Sequence, residues 1–178
     1  DGILMLNGAV RFLEPKGGPK HQSLTWLSSD GVEWSEPYAD VSGLGTWRWS
    51  ATWNTEAAYS FGYSGKDPLG CLYRTKDGKT WEVVADDVFP SAENPGNESA
   101  IVFTEVGKAC VLLRTNTAPA QWGEAQAPYT DWTWSSLDKG IGGPEMIAGE
   151  DGRFLGIVRL YHPARTTLCW VDPEAGRL

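Results

Sequence analysis

The sequence predicts an all-β protein, a β-propeller of four-stranded antiparallel blades, with about three and a half blades present. Three observations carry this. Apolar residues fall in short alternating runs and never at helical spacing. Turn-forming residues are dense, with 21 Gly and 11 Pro among 178 residues. A seven-residue turn box occurs twice, 47 residues apart.

In chain order, the first strand is Ile3–Leu6. Leu24-Thr25-Trp26-Leu27 then runs into the first box, Ser28-Ser29-Asp30-Gly31-Val32-Glu33-Trp34. The longest stretch free of Gly and Pro is Thr46 to Phe61. It sets Trp47, Trp49, Ala51 and Trp53 on one side and Arg48, Ser50, Thr52 and Asn54 on the other, the period of a strand. Arg48, among three tryptophans, is expected to pack on aromatic faces. Cys71-Leu72-Tyr73-Arg74 leads into the second box, Thr75-Lys76-Asp77-Gly78-Lys79-Thr80-Trp81. Paired strands are expected for Arg48–Asn54 with Ala57–Gly62, Glu98–Thr104 with Lys108–Leu113, and Glu145–Ala148 with Arg153–Tyr161. Thr167–Val171 follows, and each run is bounded by Gly, Pro, Asn or Asp.

Each box is a hydroxyl residue, any residue, Asp-Gly, two residues and Trp. Asp-Gly supplies a tight turn, and the hydroxyl and carboxylate can accept hydrogen bonds from turn amides. Trp34 and Trp81 are both expected to be largely buried beneath the strands. Weaker echoes stand at Tyr129–Trp134, which lacks the Gly, and at Val171–Gly176, which lacks the Trp. A four-stranded unit of about 40–50 residues is a propeller blade. The units expected are 1–45, 46–95, 96–142 and 143–178 of a single incomplete domain.

Composition narrows the partners. The formal charge of −8 argues against nucleic acid, which calls for a basic stripe. It also argues against an anionic membrane surface. No run of about 18 apolar residues exists, so no membrane span is expected. Cys71, Cys110 and Cys169 are an odd number in apolar settings and read as free buried thiols. With no Cys-x-x-Cys spacing and only His21 and His162 to assist, no zinc site is expected. The acidic runs Asp86-Asp87 and Glu145/Glu150/Asp151 read as solvated faces, and the sequence leaves the compartment open.

The two boxes resemble the Asp boxes of the sialidase superfamily, of the form S/T-x-D-x-G-x-T-W, each one residue shorter here between Asp and Gly. The resemblance covers nearly the whole chain and implies the propeller fold, with Asp30 and Asp77 structural. Six blades of about 47 residues need roughly 280 residues. The chain is therefore expected to be a fragment of a larger propeller, the alternative being a four-bladed ring. A fragment has open blade edges that invite self-association.

The same family has a Glu opening an innermost strand and an Arg sixteen residues on, across the hairpin. Glu98 in Asn97-Glu98-Ser99-Ala100-Ile101 and Arg114 in Cys110–Arg114 match that spacing. The resemblance implies that Glu98 is the base that draws a proton from a tyrosine nucleophile, and that Arg114 clamps a substrate carboxylate. Arginine suits the task through its planar bidentate fork. Arg165, in Tyr161-His162-Pro163-Ala164-Arg165-Thr166-Thr167-Leu168, resembles a second clamp arginine, with Arg159 as its rival. The three side chains Glu98, Arg114 and Arg165 are expected to converge on the face away from Asp30 and Asp77. None of Tyr38, Tyr63, Tyr73, Tyr129 or Tyr161 stands in the nucleophile's motif context. The nucleophile, the first arginine and the general-acid Asp are expected outside this chain.

The function implied is a retaining, sialidase-like glycoside hydrolase acting on an acidic terminal sugar, with no metal or organic cofactor. The alternatives are a non-catalytic propeller that binds a glycan or a protein, and an enzyme acting on another uronic or neutral sugar. The 178 residues alone are expected to be inactive.

Overall fold

The computed structural model describes residues 2–13, 17–64 and 67–178. They form four antiparallel sheets that follow one another along the chain. The first pairs β1 (Leu4–Arg11) with β2 (His21–Ser28). The second runs from β3 (Trp47–Arg48) and β4 (Thr52–Trp53) through β5 (Ala58–Tyr63) and β6 (Cys71–Thr75) to β7 (Glu82–Asp86). The third orders β8 (Gly96–Phe103), β9 (Ala109–Thr115), β10 (Gln121–Ala125) and β11 (Thr133–Ser136). The fourth orders β12 (Ile141–Ala148), β13 (Phe154–Tyr161) and β14 (Ala164–Val171). The fold is all-β, with sheets of propeller-blade type.

Thr46–Phe61 forms a hairpin turning at Asn54–Ala57, and its first strand breaks at Trp49–Ala51 into β3 and β4, both paired to β5. The register slips by one across the break, so Trp47 shares a face with Thr52 and Arg48 with Trp53, which corrects the expected alternation. Four strands per blade hold for the third sheet and, with that split, for the second. The first sheet has two strands and the fourth three. In the first sheet the chain after the box crosses back along β2 as isolated bridges, Leu44 with Gln22 and Tyr38 with Thr25, the latter two exchanging both backbone hydrogen bonds at 2.8 and 3.1 Å. Pro37 precedes Tyr38 and withholds an N–H, so no strand extends there.

The sheets pack face on face, and strand alternation sends each face of a blade to a different neighbour. Tyr59, Phe61 and Leu72 of the second sheet meet Ile101, Val111 and Leu113 of the third. Alternate residues of the third sheet, Val102, Leu112 and Trp122, meet Met146, Phe154, Val158 and Leu160 of the fourth. Each such side chain contributes roughly 1.5–3 kcal/mol by its burial. The first strands of successive sheets lie side by side. Asn7 on β1 donates to the carbonyls of Arg48 and Trp49 at 3.2 Å each.

The two turn boxes are the same structure built twice. Ser28 Oγ accepts from Gly31 N at 2.8 Å, and Asp30 Oδ1 accepts from Val32 N and Glu33 N at 2.8 and 2.9 Å. Thr75 Oγ1 accepts from Gly78 N at 2.9 Å, and Asp77 Oδ1 from Lys79 N and Thr80 N at 2.8 and 2.9 Å. Gly31 and Gly78 have φ of 78° and 72°, a left-handed conformation that costs glycine little. The amides pull both carboxyls below their ordinary value, the bond from Val32 leading at Asp30 and that from Thr80 at Asp77.

A depressed carboxyl stabilises the fold above its unfolded pKa and loses that contribution as pH falls through its folded value. Asp77→Asn is therefore expected to cost about 1 kcal/mol at pH 7. The deficit relative to the parent should shrink below about pH 4. Urea unfolding of both proteins at pH 7 and pH 3 measures this; an unchanged deficit at pH 3 would remove the carboxylate as its source.

Trp81 is buried, as expected, at 4% exposure, but Trp34 is 40% exposed. Trp81 lies between two sheets, its Nε1 donating to Thr25 Oγ1 on β2 at 3.2 Å. No described sheet occupies the equivalent place beside Trp34. The cysteines are all free, yet only Cys110 is fully buried. Cys71 Sγ sits 3.2 Å from Asp86 Oδ1 and 3.4 Å from Asp67 Oδ2; burial first, then these carboxylates, pushes its thiol up to about 12. No helix among the described residues is long and apolar enough to cross a membrane.

Candidate functional site

Strand direction separates two edges of the sheets. Ser28 pairs with Leu4, and Thr75 with Ala58, so both boxes lie at the edge where β1 and β5 begin. The opposite edge carries the end of β5, the start of β8 and the end of β9. There Gly96 pairs with Thr115 and Ser99 with Leu113, so Asn97 and Glu98 together oppose the single residue Arg114. Such a bulge bends the strand and re-aims its side chains. Glu98 Oε2 meets Arg114 Nη1 at 2.7 Å, with side-chain exposures of 13% and 22%. Asn97 fixes the bulge, its Oδ1 accepting from Glu98 N at 3.0 Å and its Nδ2 donating to Asn116 Oδ1 at 3.0 Å.

A second bulge faces the first. Gly142 pairs with Arg159 and Glu145 with Ile157, leaving Gly143 and Pro144 opposite Val158 alone. The freed amide of Gly143 donates to Glu98 Oε2 at 2.6 Å. One carboxylate oxygen thus accepts from both a guanidinium and a backbone amide, the strong charge-assisted kind of bond. Arg114 Nε is buried without a hydrogen-bond partner among the described residues.

Arg159 lies in the field of Glu98 and is raised, chiefly by Tyr161, whose hydroxyl is 3.4 Å from Arg159 Nη2. Both side-chain ends cross Gly142, where a Cβ would come within 2.6 Å of each, so a larger residue there would displace them. On the other side stands Tyr63. Burial first, then Glu98, with Arg114 opposing, pushes its phenol up to about 12. Trp47 stacks on Tyr63 at 6.3 Å and 9°. Further along β12, burial pushes the Glu145 carboxyl up, with Met146 N and Ser50 opposing.

The structure therefore brings Glu98 and Arg114 together on the edge away from Asp30 and Asp77. It does not bring Arg165 to them. Arg165 pairs with Leu160 at the start of β14, one strand outside Arg159, and is exposed with no hydrogen bond or ion pair among the described residues. Arg159, on the strand next to the bulge, takes the place expected of Arg165. Arg48 is no part of this site: it is fully buried over the rings of Trp81 and Tyr73. Sequence reasoning missed Tyr63 and Tyr161 as neighbours of the ion pair. The strand-end positions of both were visible, but which sheet edges meet was not.

No family model matches the sequence, and no curated protein matches it. Among solved structures, a protein of unknown function from Dyadobacter fermentans DSM 18053 superposes with a TM-score of 0.77 at 17% identity. The match covers 97% of this chain and 58% of that one. A bifunctional GH43-CE protein of Bacteroides eggerthii gives 0.54 at 14% identity, over 70% of this chain and 19% of that one. YCF48 bound to D1 peptide gives 0.43 at 15% identity, over 86% and 47%. This chain thus spans a little over half the length of the Dyadobacter protein, with which it shares the fold.

Proposed function

We propose that the edge carrying Glu98 and Arg114 binds the carboxylate-bearing terminal sugar of a glycan, and that the chain is part of a sialidase-like glycoside hydrolase. The observation that supports this is the bulge-built Glu98–Arg114 pair, held by Gly143 N and flanked by Arg159, on the edge opposite the two turn boxes. Arg114 and Arg159 hold the sugar carboxylate through charge-assisted bonds. Glu98 serves as the base, accepting a phenol proton as a tyrosine oxygen attacks the anomeric carbon and the leaving oxygen departs. Tyr63, beside the pair, stacks on Trp47, and burial first, then Glu98, pushes its phenol up to about 12. The nucleophile comes from outside these 178 residues.

The test is binding and turnover by the chain. N-acetylneuraminic acid is expected to bind, galactose is not, and Arg114→Ala should weaken binding about tenfold or more. Hydrolysis of a fluorogenic sialoside is expected to be absent, since general acid–base help alone is worth about 10²–10⁴. Equal binding of the acidic and the neutral sugar, or binding indifferent to Arg114→Ala, overturns the reading. A non-catalytic glycan-binding propeller is the second reading. The engagement of Glu98 Oε2 by both Arg114 Nη1 and Gly143 N favours it, and lack of turnover in the longest natural chain would select it.

A further inference from the structure

We infer that Trp47, braced by Trp49, Tyr63 and His21, is a stacking platform for an uncharged sugar ring adjoining the acidic one; this rests on the function proposed above. The four rings are contiguous. Trp47 stacks on Tyr63, meets Trp49 at 5.8 Å and 44°, and meets His21 at 5.5 Å and 49°. All four are half-buried, so they brace one another while keeping surface open.

Their hydrogen bonding separates Trp47 and Trp49 from the core indoles. Trp81, Trp122, Trp132 and Trp134 each donate Nε1–H to a protein acceptor at 2.9–3.2 Å. Among the described residues six tryptophans do not, Trp26, Trp34, Trp53 and Trp170 with Trp47 and Trp49, but of these Trp47 and Trp49 are the pair in ring contact. A buried indole normally finds an acceptor; two that have none, beside open surface, are donors free for a ligand hydroxyl.

The electrostatics select the ligand. Tyr63 stays neutral, its phenol raised to about 12. Burial first, then Arg11 and Lys20, lowers His21, which favours the neutral imidazole. Flat against the ring faces a carboxylate would lose hydration, with Arg11 and Lys20 acting from the His21 end of the wall. A cation, which aromatic faces otherwise attract, would meet the like charges of Arg11 and Lys20 beside His21. An uncharged pyranose meets both demands, with C–H faces for the rings and hydroxyls for the two indole N–H groups. Tyr63 lies in the field of Glu98 and Arg114, so the wall adjoins the acidic-sugar site.

The experiment compares N-acetylneuraminic acid with its disaccharide to galactose, titrated against the chain and against Trp47→Ala and Trp47→Phe. The parent should bind the disaccharide about tenfold more tightly, the scale of one good aromatic contact. Trp47→Ala should erase that difference and leave monosaccharide affinity unchanged, and Trp47→Phe should keep part of it. Should Trp47→Ala fail to fold, the Phe variant decides, and a full difference in it overturns the platform. No preference in the parent, or a preference that survives Trp47→Ala, also overturns it. Failure of the parent to bind the acidic monosaccharide overturns the site reading instead, and this inference with it.

Discussion

Arg48→Met is expected to lower stability by about 3–5 kcal/mol, the usual cost of removing one partner of a buried ion pair. The Arg48 side chain is 1% exposed and its Nη2 lies 2.9 Å from Asp40 Oδ1. Its Nη1 donates to Ser42 Oγ at 3.0 Å, and its backbone N–H donates to Ser23 Oγ at 2.9 Å. The guanidinium lies 4.8 Å from the Trp81 ring and 5.5 Å from that of Tyr73. Asp40 in turn accepts from Trp81 N at 3.2 Å. One side chain thus ties the first sheet to the second, where apolar packing is thinnest: that interface has only Ala58, Tyr73 and Trp81 as its buried cluster. Burial alone would pull the guanidinium down, and Asp40 opposes it. Removing Arg48 leaves Asp40 charged and underpaired. Arg48→Met with Asp40→Asn should therefore recover part of the loss. At about 2–4 °C per kcal/mol, thermal melts should show a fall on the order of 10 °C for the single variant. Equal instability of the single and double variants would assign the loss to packing and not to charge.

The fold was legible because its signals are local. The strand period of Trp47–Asn54 announced an extended segment, though not the one-residue slip that turns Trp53 to the other face, and each box closes its own hydrogen bonds within seven residues. The Glu98–Arg114 pair was legible for the same reason, since both residues belong to one hairpin and a fixed separation brings them opposite. Arg165 was misplaced because its position depends on a different sheet. The bulge at Gly143–Pro144 and the register of β13 put Arg159 beside Gly142 and in the field of Glu98, and neither leaves a mark in the spacing of Arg165. Tyr63 and Asp40 were missed because they act between sheets. Asp40 precedes a single 3-10 turn, Val41–Gly43, and nothing in Tyr38–Gly43 announces that its carboxylate meets Arg48.

Trp81→Ala is expected to cost about 3–5 kcal/mol, whereas Trp34→Ala should cost about 1 kcal/mol or less. The two residues close identical turns, so local chemistry cannot tell them apart. What differs is the neighbouring sheet. Trp81 gains its bond to Thr25 and its face on Arg48, and loses nearly all its contact with water, when the first and second sheets close on it. Trp34 occupies the same place in its own sheet and remains 40% exposed, near a run of open apolar side chains on β1, with Leu4 and Leu6 each at 52%. Parallel urea titrations of the two variants measure the difference directly. A large gap means that a turn-box tryptophan gains its stabilising value from the preceding sheet and not from its own hairpin. Equal losses would mean that the outer face of β1 and β2 is covered in solution, and that Trp34 is as buried there as Trp81.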